Sequence, residues 1–166
     1  MLAGVKIKSL QINSDERGYL SEVLRADWDD FIKEEIVQAN ISYCYPDTIR
    51  AWHRHLRNQI DYLTVLRGAI KACIYDENSG ELDEATLLSN FPQIIRIPGI
   101  YWHGFKVIGY EPAMVLYFFN KLYNYGTPDE LRRSWNDPKI VPKKINGKDD
   151  DPRCNKAWDW DRPPFR

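Results

Sequence analysis

The sequence predicts an all-β domain, a sandwich or barrel of short antiparallel strands, and three observations carry that prediction. Short runs rich in β-branched and aromatic residues recur along the chain, at Ile36 to Tyr43, Asp61 to Leu66, Ala69 to Tyr75, Gln93 to Ile97 and Ala113 to Phe119. Turn-forming residues punctuate them, with Arg67 and Gly68 close enough to read as a hairpin and DENSGE, residues 76 to 81, offering Asn, Ser and Gly. Only Ala26 to Glu35, ADWDDFIKEE, has the character of a helix, with Asp27 as its cap and a place over one sheet edge.

A chain of 166 residues with a hydrophobic fraction of 43% can build one core, so residues 1 to 166 are expected to form a single domain. From about residue 138 the chain mixes Pro, charge and aromatic residues without a period, which predicts an irregular tail. Trp158 and Trp160 in that tail argue that it packs on the sandwich, because a pair of exposed Trp on a free tail invites aggregation.

The 23 basic and 24 acidic residues nearly cancel, which gives no global field toward nucleic acid or an anionic membrane. No apolar run reaches the length of a signal peptide or a membrane span, so the expectation is a soluble, cytoplasmic protein. Cys44, Cys73 and Cys154 lack metal-finger or redox spacing and read as reduced thiols.

The chemistry concentrates in three histidines. His53 and His55 lie in RAWHRHLR, and in an extended strand residues two apart project to one side. His103 follows a Pro-Gly break in IPGIYWHGF. Their convergence would make either an acid-base pocket or a metal site. The HxH pair, Gln59 or Asp61 downstream and a later lone His follow the ligand order of metal-binding cupin barrels, and three imidazoles with a carboxylate or water suit Zn, Fe, Mn or Ni. An HxH pair also suits a plain hydrogen-bonded strand surface, and Tyr117 in VLYFFNKLY equally suits a core aromatic.

Ordered motifs surround these histidines: DERGYLSEV (15–23), VQANIS (37–42), IRAWH (49–53), IPGIYWHGF (97–105), Tyr117, YGTPDE (125–130) and WNDP (135–138). In this order and spacing, over roughly residues 5 to 140, the chain resembles the dTDP-4-dehydrorhamnose 3,5-epimerase family. The resemblance implies a cupin-type jelly roll without metal or other cofactor. It also implies a homodimer whose N-terminal strands cross to the neighbour, and epimerisation of a 4-keto-6-deoxy sugar nucleotide in deoxysugar or surface polysaccharide biosynthesis. By the same resemblance His53 is the catalytic base, Tyr117 the general acid and Asp149 the carboxylate partner of the base, with Lys148 beside it. Arg17, Tyr19, Glu22, Gln38, Asn40, Arg50, His55, His103 and Tyr125 would line the sugar-nucleotide site, with Arg17 and Arg50 near the diphosphate.

The chemistry needs such a set. A hydrogen beside a ketone is acidic because the charge left behind spreads onto the carbonyl oxygen as an enolate. A positioned imidazole base is worth about 10² to 10⁴ in rate, and a phenol on the opposite face can return the proton with inversion. The enolate oxygen also needs donors or positive charge. Here the chain departs from its relatives: Asp61 stands where a Lys is expected, Ala72 where an Asp is, and His55 where a Gln is. Arg50, Arg57, His55 and His103 are the available substitutes. A metal-dependent isomerase or oxygenase and a non-catalytic sugar-nucleotide-binding cupin remain as alternatives.

Overall fold

The computed structural model describes residues 1 to 165 and shows a jelly-roll sandwich of two sheets, antiparallel except where the last short strand runs parallel to its neighbour. The strands are β1 (Lys6–Ser9), β2 (Asn13–Asp15), β3 (Gly18–Leu20), β4 (Gln38–Cys44), β5 (Ile49–His55), β6 (Ile60–Arg67) and β7 (Ala69–Asp76). They continue with β8 (Glu81–Leu88), β9 (Gln93–Pro98), β10 (Trp102–Val107), β11 (Ala113–Phe119), β12 (Glu130–Arg132) and β13 (Lys144–Ile145). One sheet has the order β1-β9-β6-β11-β4 and the other β12-β5-β10-β7-β8-β13, while β2 and β3 form a separate exposed hairpin.

Alternation decides what each face does. Leu63, Val65 and Val115 from the first sheet meet Ala72, Ile74 and Phe105 from the second in one buried core between the sheets. The opposite face of the second sheet carries Trp52, Cys73, Tyr75 and Trp102, and these are buried too, because Ile140, Cys154, Trp158 and Trp160 of the tail lie over them. Trp52 and Trp160 have ring centroids 4.8 Å apart. The expected packed tail is therefore present, and each Trp it brings removes roughly 150–250 Å² from water.

Charge fastens the same tail. The Lys71 ammonium donates to the carbonyls of Trp160 and Arg162 at 2.7 and 2.8 Å. Arg153 pairs with Asp151 at 2.8 Å and with Glu84 on β8 at 2.9 Å, all with side chains nearly inaccessible to solvent. Cys44, Cys73 and Cys154 are free and buried.

Two local expectations are corrected. Residues 26 to 35 form turns rather than a helix: the Phe31 and Ile32 amides both donate to the Trp28 carbonyl, and the segment goes no further. Trp28, Phe31 and Ile32 pack instead with Leu10, Tyr62 and Ile94 in a satellite cluster, and this anchoring overrides the weak helical preference of so short a piece. Arg67 and Gly68 do not close a hairpin, since β6 pairs with β9 and β11 whereas β7 pairs with β8 and β10. The chain crosses there from one sheet to the other. Gly68 has φ +73°, and a Cβ would stand 2.6 Å from the Pro112 carbonyl oxygen, so this crossover requires glycine. The DENSGE turn does connect an antiparallel pair, β7 and β8.

Candidate active site

The pocket opens between the sheets. His53 and His55 lie on β5, and His53 stands directly opposite His103 on β10, where a register shift between His103 and Phe105 interrupts the ladder. The three rings converge: centroids are 4.2 Å apart for His53 and His103, 5.7 Å for His55 and His103, and 5.8 Å for His53 and His55. From the other sheet β6 contributes Asp61 and β11 contributes Tyr117. A cavity of about 390 Å³ has His53, His55, Gln59, Asp61 and Tyr117 in its wall, and a neighbouring one of about 800 Å³ shares His53, Asp61 and Tyr117 with it.

Backbone oxygens orient two of the histidines. His55 Nδ1 lies 2.9 Å from the Asp129 carbonyl and His103 Nδ1 lies 2.9 Å from the Tyr101 carbonyl. Because a carbonyl can only accept, both Nδ1 atoms carry hydrogen. The Nε2 atoms therefore turn toward Asp61, whose Oδ2 is 3.2 Å from His103 and 3.7 Å from His55. The Gln59 amide nitrogen is 2.8 Å from Asp61 Oδ1 and 3.1 Å from His55 Nε2. Behind His55 the IPG turn comes close: Gly99 accepts the His55 amide at 2.6 Å, and a Cβ at Gly99 would meet His55 Cβ at 2.8 Å.

Electrostatics separates the groups. Burial would raise the Asp61 carboxyl, but its contacts with the His103 and His55 rings outweigh it and hold Asp61 ionised. His55 is also buried, yet Asp61 raises its pKa above the ordinary histidine value. His53 is pushed well below that value, first by burial and then by the charge of His103. Among the described residues both histidine–carboxylate ion pairs in the pocket belong to Asp61, and His53 has none. Tyr117 is pushed up to about 12 by burial, so its phenol keeps its proton at neutral pH.

The structure brings together only part of the predicted set. His53, His55, Tyr117, Gln38 and Asn40 share the smaller cavity, and His103 and Arg50 line the larger one. Arg50 also donates to Cys44 Sγ at 3.1 Å. Tyr125 is exposed at the rim, its ring 5.0 Å from that of Tyr123. Arg17 and Tyr19 lie on the exposed β2–β3 hairpin, with Arg17 paired to Asp15 at 2.5 Å, and Glu22 pairs with Arg25 at 2.6 Å. None of these three lines the pocket of its own chain.

Lys148 and Asp149 are placed elsewhere. They follow β13 at the far edge of the second sheet, where β8, β7 and β10 intervene before β5, and the Lys148 carbonyl accepts from Ile145. The carboxylate grouped with His53 is Asp61. Sequence reasoning also missed Asp129, whose carboxylate caps the amides of Leu56 and Arg57 at 2.9 and 3.0 Å while its carbonyl fixes His55. The signal was present, since Asp after Pro in YGTPDE is a residue type that binds nearby backbone.

A jelly roll whose two sheets project an imidazole and a phenol into one pocket defines a protein of the cupin kind. The sequence pattern described as dTDP-4-dehydrorhamnose 3,5-epimerase matches residues 1–153, and the chain belongs to that family of isomerases. It is 45% identical over 134 residues to the "probable low-salt glycan biosynthesis epimerase" of Haloferax volcanii, covering 77% of this chain and 85% of that protein. It is 34% identical over 145 residues to a spore coat polysaccharide biosynthesis protein of Bacillus subtilis, covering 84% of this chain and 94% of the relative. Among solved structures, a dTDP sugar isomerase from Desulfovibrio desulfuricans superposes with a TM-score of 0.74 at 26% identity, over 83% of this chain and 88% of that one. A dTDP-6-deoxy-D-glucose-3,5-epimerase from Legionella pneumophila, solved with dTDP-4-keto-L-rhamnose, shares the fold with a TM-score of 0.75 at 22% identity, over 89% and 86% of the two chains.

Proposed function

We propose that this protein epimerises a 4-keto-6-deoxy sugar carried on a nucleotide, with dTDP as the leading carrier, at C3, C5 or both. One observation carries the reading: His53 and Tyr117 enter the same pocket from different sheets. A sugar ring lying between the sheets then meets a base on one face and an acid on the other. His53, without a carboxylate partner, takes the proton beside the ketone through its neutral ring. Negative charge moves onto the keto oxygen, and Tyr117 delivers a proton from the opposite side, inverting the carbon. His53 then releases its proton to water, and water returns one to the phenolate.

The rest of the pocket suits a charged carrier. Arg57 and Lys121 supply cations for a diphosphate, and Tyr123 supplies a ring for a base. Arg17 and Tyr19 lie outside this pocket, which agrees with a homodimer in which the hairpin completes the neighbour's site. The edge strand β4 supports the same assembly, because its exposed Ile41 and Tyr43, with Tyr45 beyond, form an apolar strip on an open sheet edge. By analogy with the glycan and polysaccharide roles in the names of its relatives, the product would feed surface glycan synthesis in the cytoplasm.

The test is solvent exchange. Incubated in deuterium oxide with dTDP-4-keto-6-deoxyglucose, the protein should place deuterium at C3, C5 or both. Absence of exchange into this and other 4-keto sugar nucleotides would sink the proposal.

A further inference from the structure

Asp61, His55 and His103 present a problem of lone pairs. Both Nδ1 atoms are committed as donors to the carbonyls of Asp129 and Tyr101. In a neutral imidazole the remaining nitrogen, Nε2, is an acceptor only. Yet both Nε2 atoms face one oxygen of an ionised carboxylate, Asp61 Oδ2, which also only accepts. Gln59 can give one hydrogen to His55 Nε2 and the other to Asp61 Oδ1, which satisfies His55 but leaves His103 Nε2 and Asp61 Oδ2, two acceptors 3.2 Å apart, with no hydrogen between them. A positive charge between them resolves the conflict.

The spacing says which kind of charge fits. Metal–nitrogen and metal–oxygen bonds of about 2.0–2.2 Å imply ligand-to-ligand edges of about 3.0–3.5 Å in tetrahedral or octahedral geometry. One edge here, 3.2 Å, lies in that range and the other, 3.7 Å, just beyond it, and an ion would take the His55 Nε2 lone pair over from Gln59. The outer contacts match as well, since ligating histidines commonly give their second N–H to a backbone carbonyl, which fixes ring direction and tautomer. Gln59 does the same for the carboxylate by holding Oδ1, leaving Oδ2 to face the imidazoles. All four potential ligand groups, His53 included, have ligand atoms within 4.8 Å of one another.

We infer that His55 Nε2, Asp61 Oδ2 and His103 Nε2 bind a divalent first-row transition-metal ion, with open positions facing the sugar and His53 standing beside the ion as a free base. Two imidazoles and one carboxylate form a donor set for such ions with coordination left over. The binding claim stands on geometry alone. The role at the reaction centre rests on the epimerase reading: the keto oxygen takes an open position, and the ion holds the charge that develops there as His53 removes the proton. This would fill the place of the lysine that the family resemblance leads one to expect where Asp61 stands.

Protein without a histidine tag, stripped with chelator and titrated with Co²⁺, should bind one equivalent with visible d–d absorption. Asp61→Asn and His103→Gln should each weaken Co²⁺ more than about 100-fold, beyond the loss expected for an outer-shell partner, whereas His53→Gln should weaken it less than about tenfold. Should the wild-type protein take up no stoichiometric Co²⁺, the metal site is overturned. The wild-type titration decides this even if a variant fails to fold. Equal loss in His53→Gln would overturn the three-ligand assignment. Exchange into the keto sugar, compared between stripped and Co²⁺-loaded protein, separates the two readings. Equal exchange in both overturns the metal's role and leaves the epimerase, while Co²⁺ binding without exchange in either form leaves the site and overturns the epimerase.

Discussion

The two faces of the six-stranded sheet both bury charge, and they bury it differently. On the outer face Lys71, Glu84, Arg153 and Asp151 form a set in which cations and anions alternate and the tail's carbonyls take the remaining hydrogens. On the inner face His53 has no carboxylate, and His55 and His103 share one between them. A charge buried for stability is saturated by its partners, since an unpaired one costs several kcal/mol. Groups left short of partners keep their capacity for a ligand, which is why the inner face reads as the site and the outer face as a clasp.

Breaking the inner face should give the largest effect on chemistry and the smallest on folding. His53→Ala should slow solvent exchange by about 10² to 10⁴ while leaving the melting temperature near that of the parent protein. Tyr117→Phe should separate the two halves of the reaction: deuterium still enters on the His53 face, but the inverted sugar fails to accumulate, as NMR of the product would show. If inversion survives in Tyr117→Phe, another group is the acid.

The outer face should show the converse. Trp160→Ala removes a fully buried indole and should cost about 3–5 kcal/mol in denaturant unfolding. Arg153→Ala leaves Asp151 buried without its cation and Glu84 with Lys71 alone, and should cost about 3–5 kcal/mol. Both should retain normal exchange per folded molecule. A large loss of exchange at unchanged stability would contradict the division between the faces.

A smaller effect should appear in acid. Hydrogen bonding from Arg153 holds Asp151 below the ordinary Asp value of 3.8. The native state thus binds fewer protons than the unfolded one around that pH. The stability from this pair is present above about pH 4 and is lost as pH falls through the lowered value. Asp151→Asn should flatten that part of the acid-unfolding profile. The smallest structural effect belongs to exposed Arg17: Arg17→Ala should leave melting unchanged but raise the KM for the nucleotide sugar, provided the hairpin completes a partner's pocket. An unchanged KM removes Arg17 from the site.

Most of the sandwich is legible in the sequence, because β-branched and aromatic residues mark β4, β6, β7, β9 and β11, whether the run is largely buried, as in β6 and β7, or largely exposed, as in the edge strand β4. β8 is harder to read. Its Asp83 and Glu84 break the apolar signature, and what makes them tolerable, the Leu2 amide at 2.5 Å from Asp83 and Arg153 at Glu84, comes from far along the chain. The false hairpin at Arg67 and Gly68 fails for a related reason, since a glycine turn between apolar runs looks alike whether the second strand returns to its own sheet or crosses to the other.

The site divides similarly. His53, Tyr117 and His103 are visible from motif order, and Asp61 is visible as a departure. That Asp61 faces two imidazoles whose other nitrogens are already committed depends on a local contact, His103 with the Tyr101 carbonyl, and on a distant one, His55 with the Asp129 carbonyl, which no local pattern carries. The resemblance expects Asp149 beside His53, whereas the path of the tail takes it four strands from β5.

The proposed base and acid stand on different sheets, and the gap between those sheets is held open in part by Val65, Ile74 and Val115, which line neither cavity. Stacked sheets sit about 10 Å apart, with a spacing set by the side chains between them. The molecule therefore works as a caliper: the reach from His53 to Tyr117 is gauged by the thickness of residues that never touch substrate. Substrate range can drift through substitutions in that filling while every residue of the pocket wall stays the same.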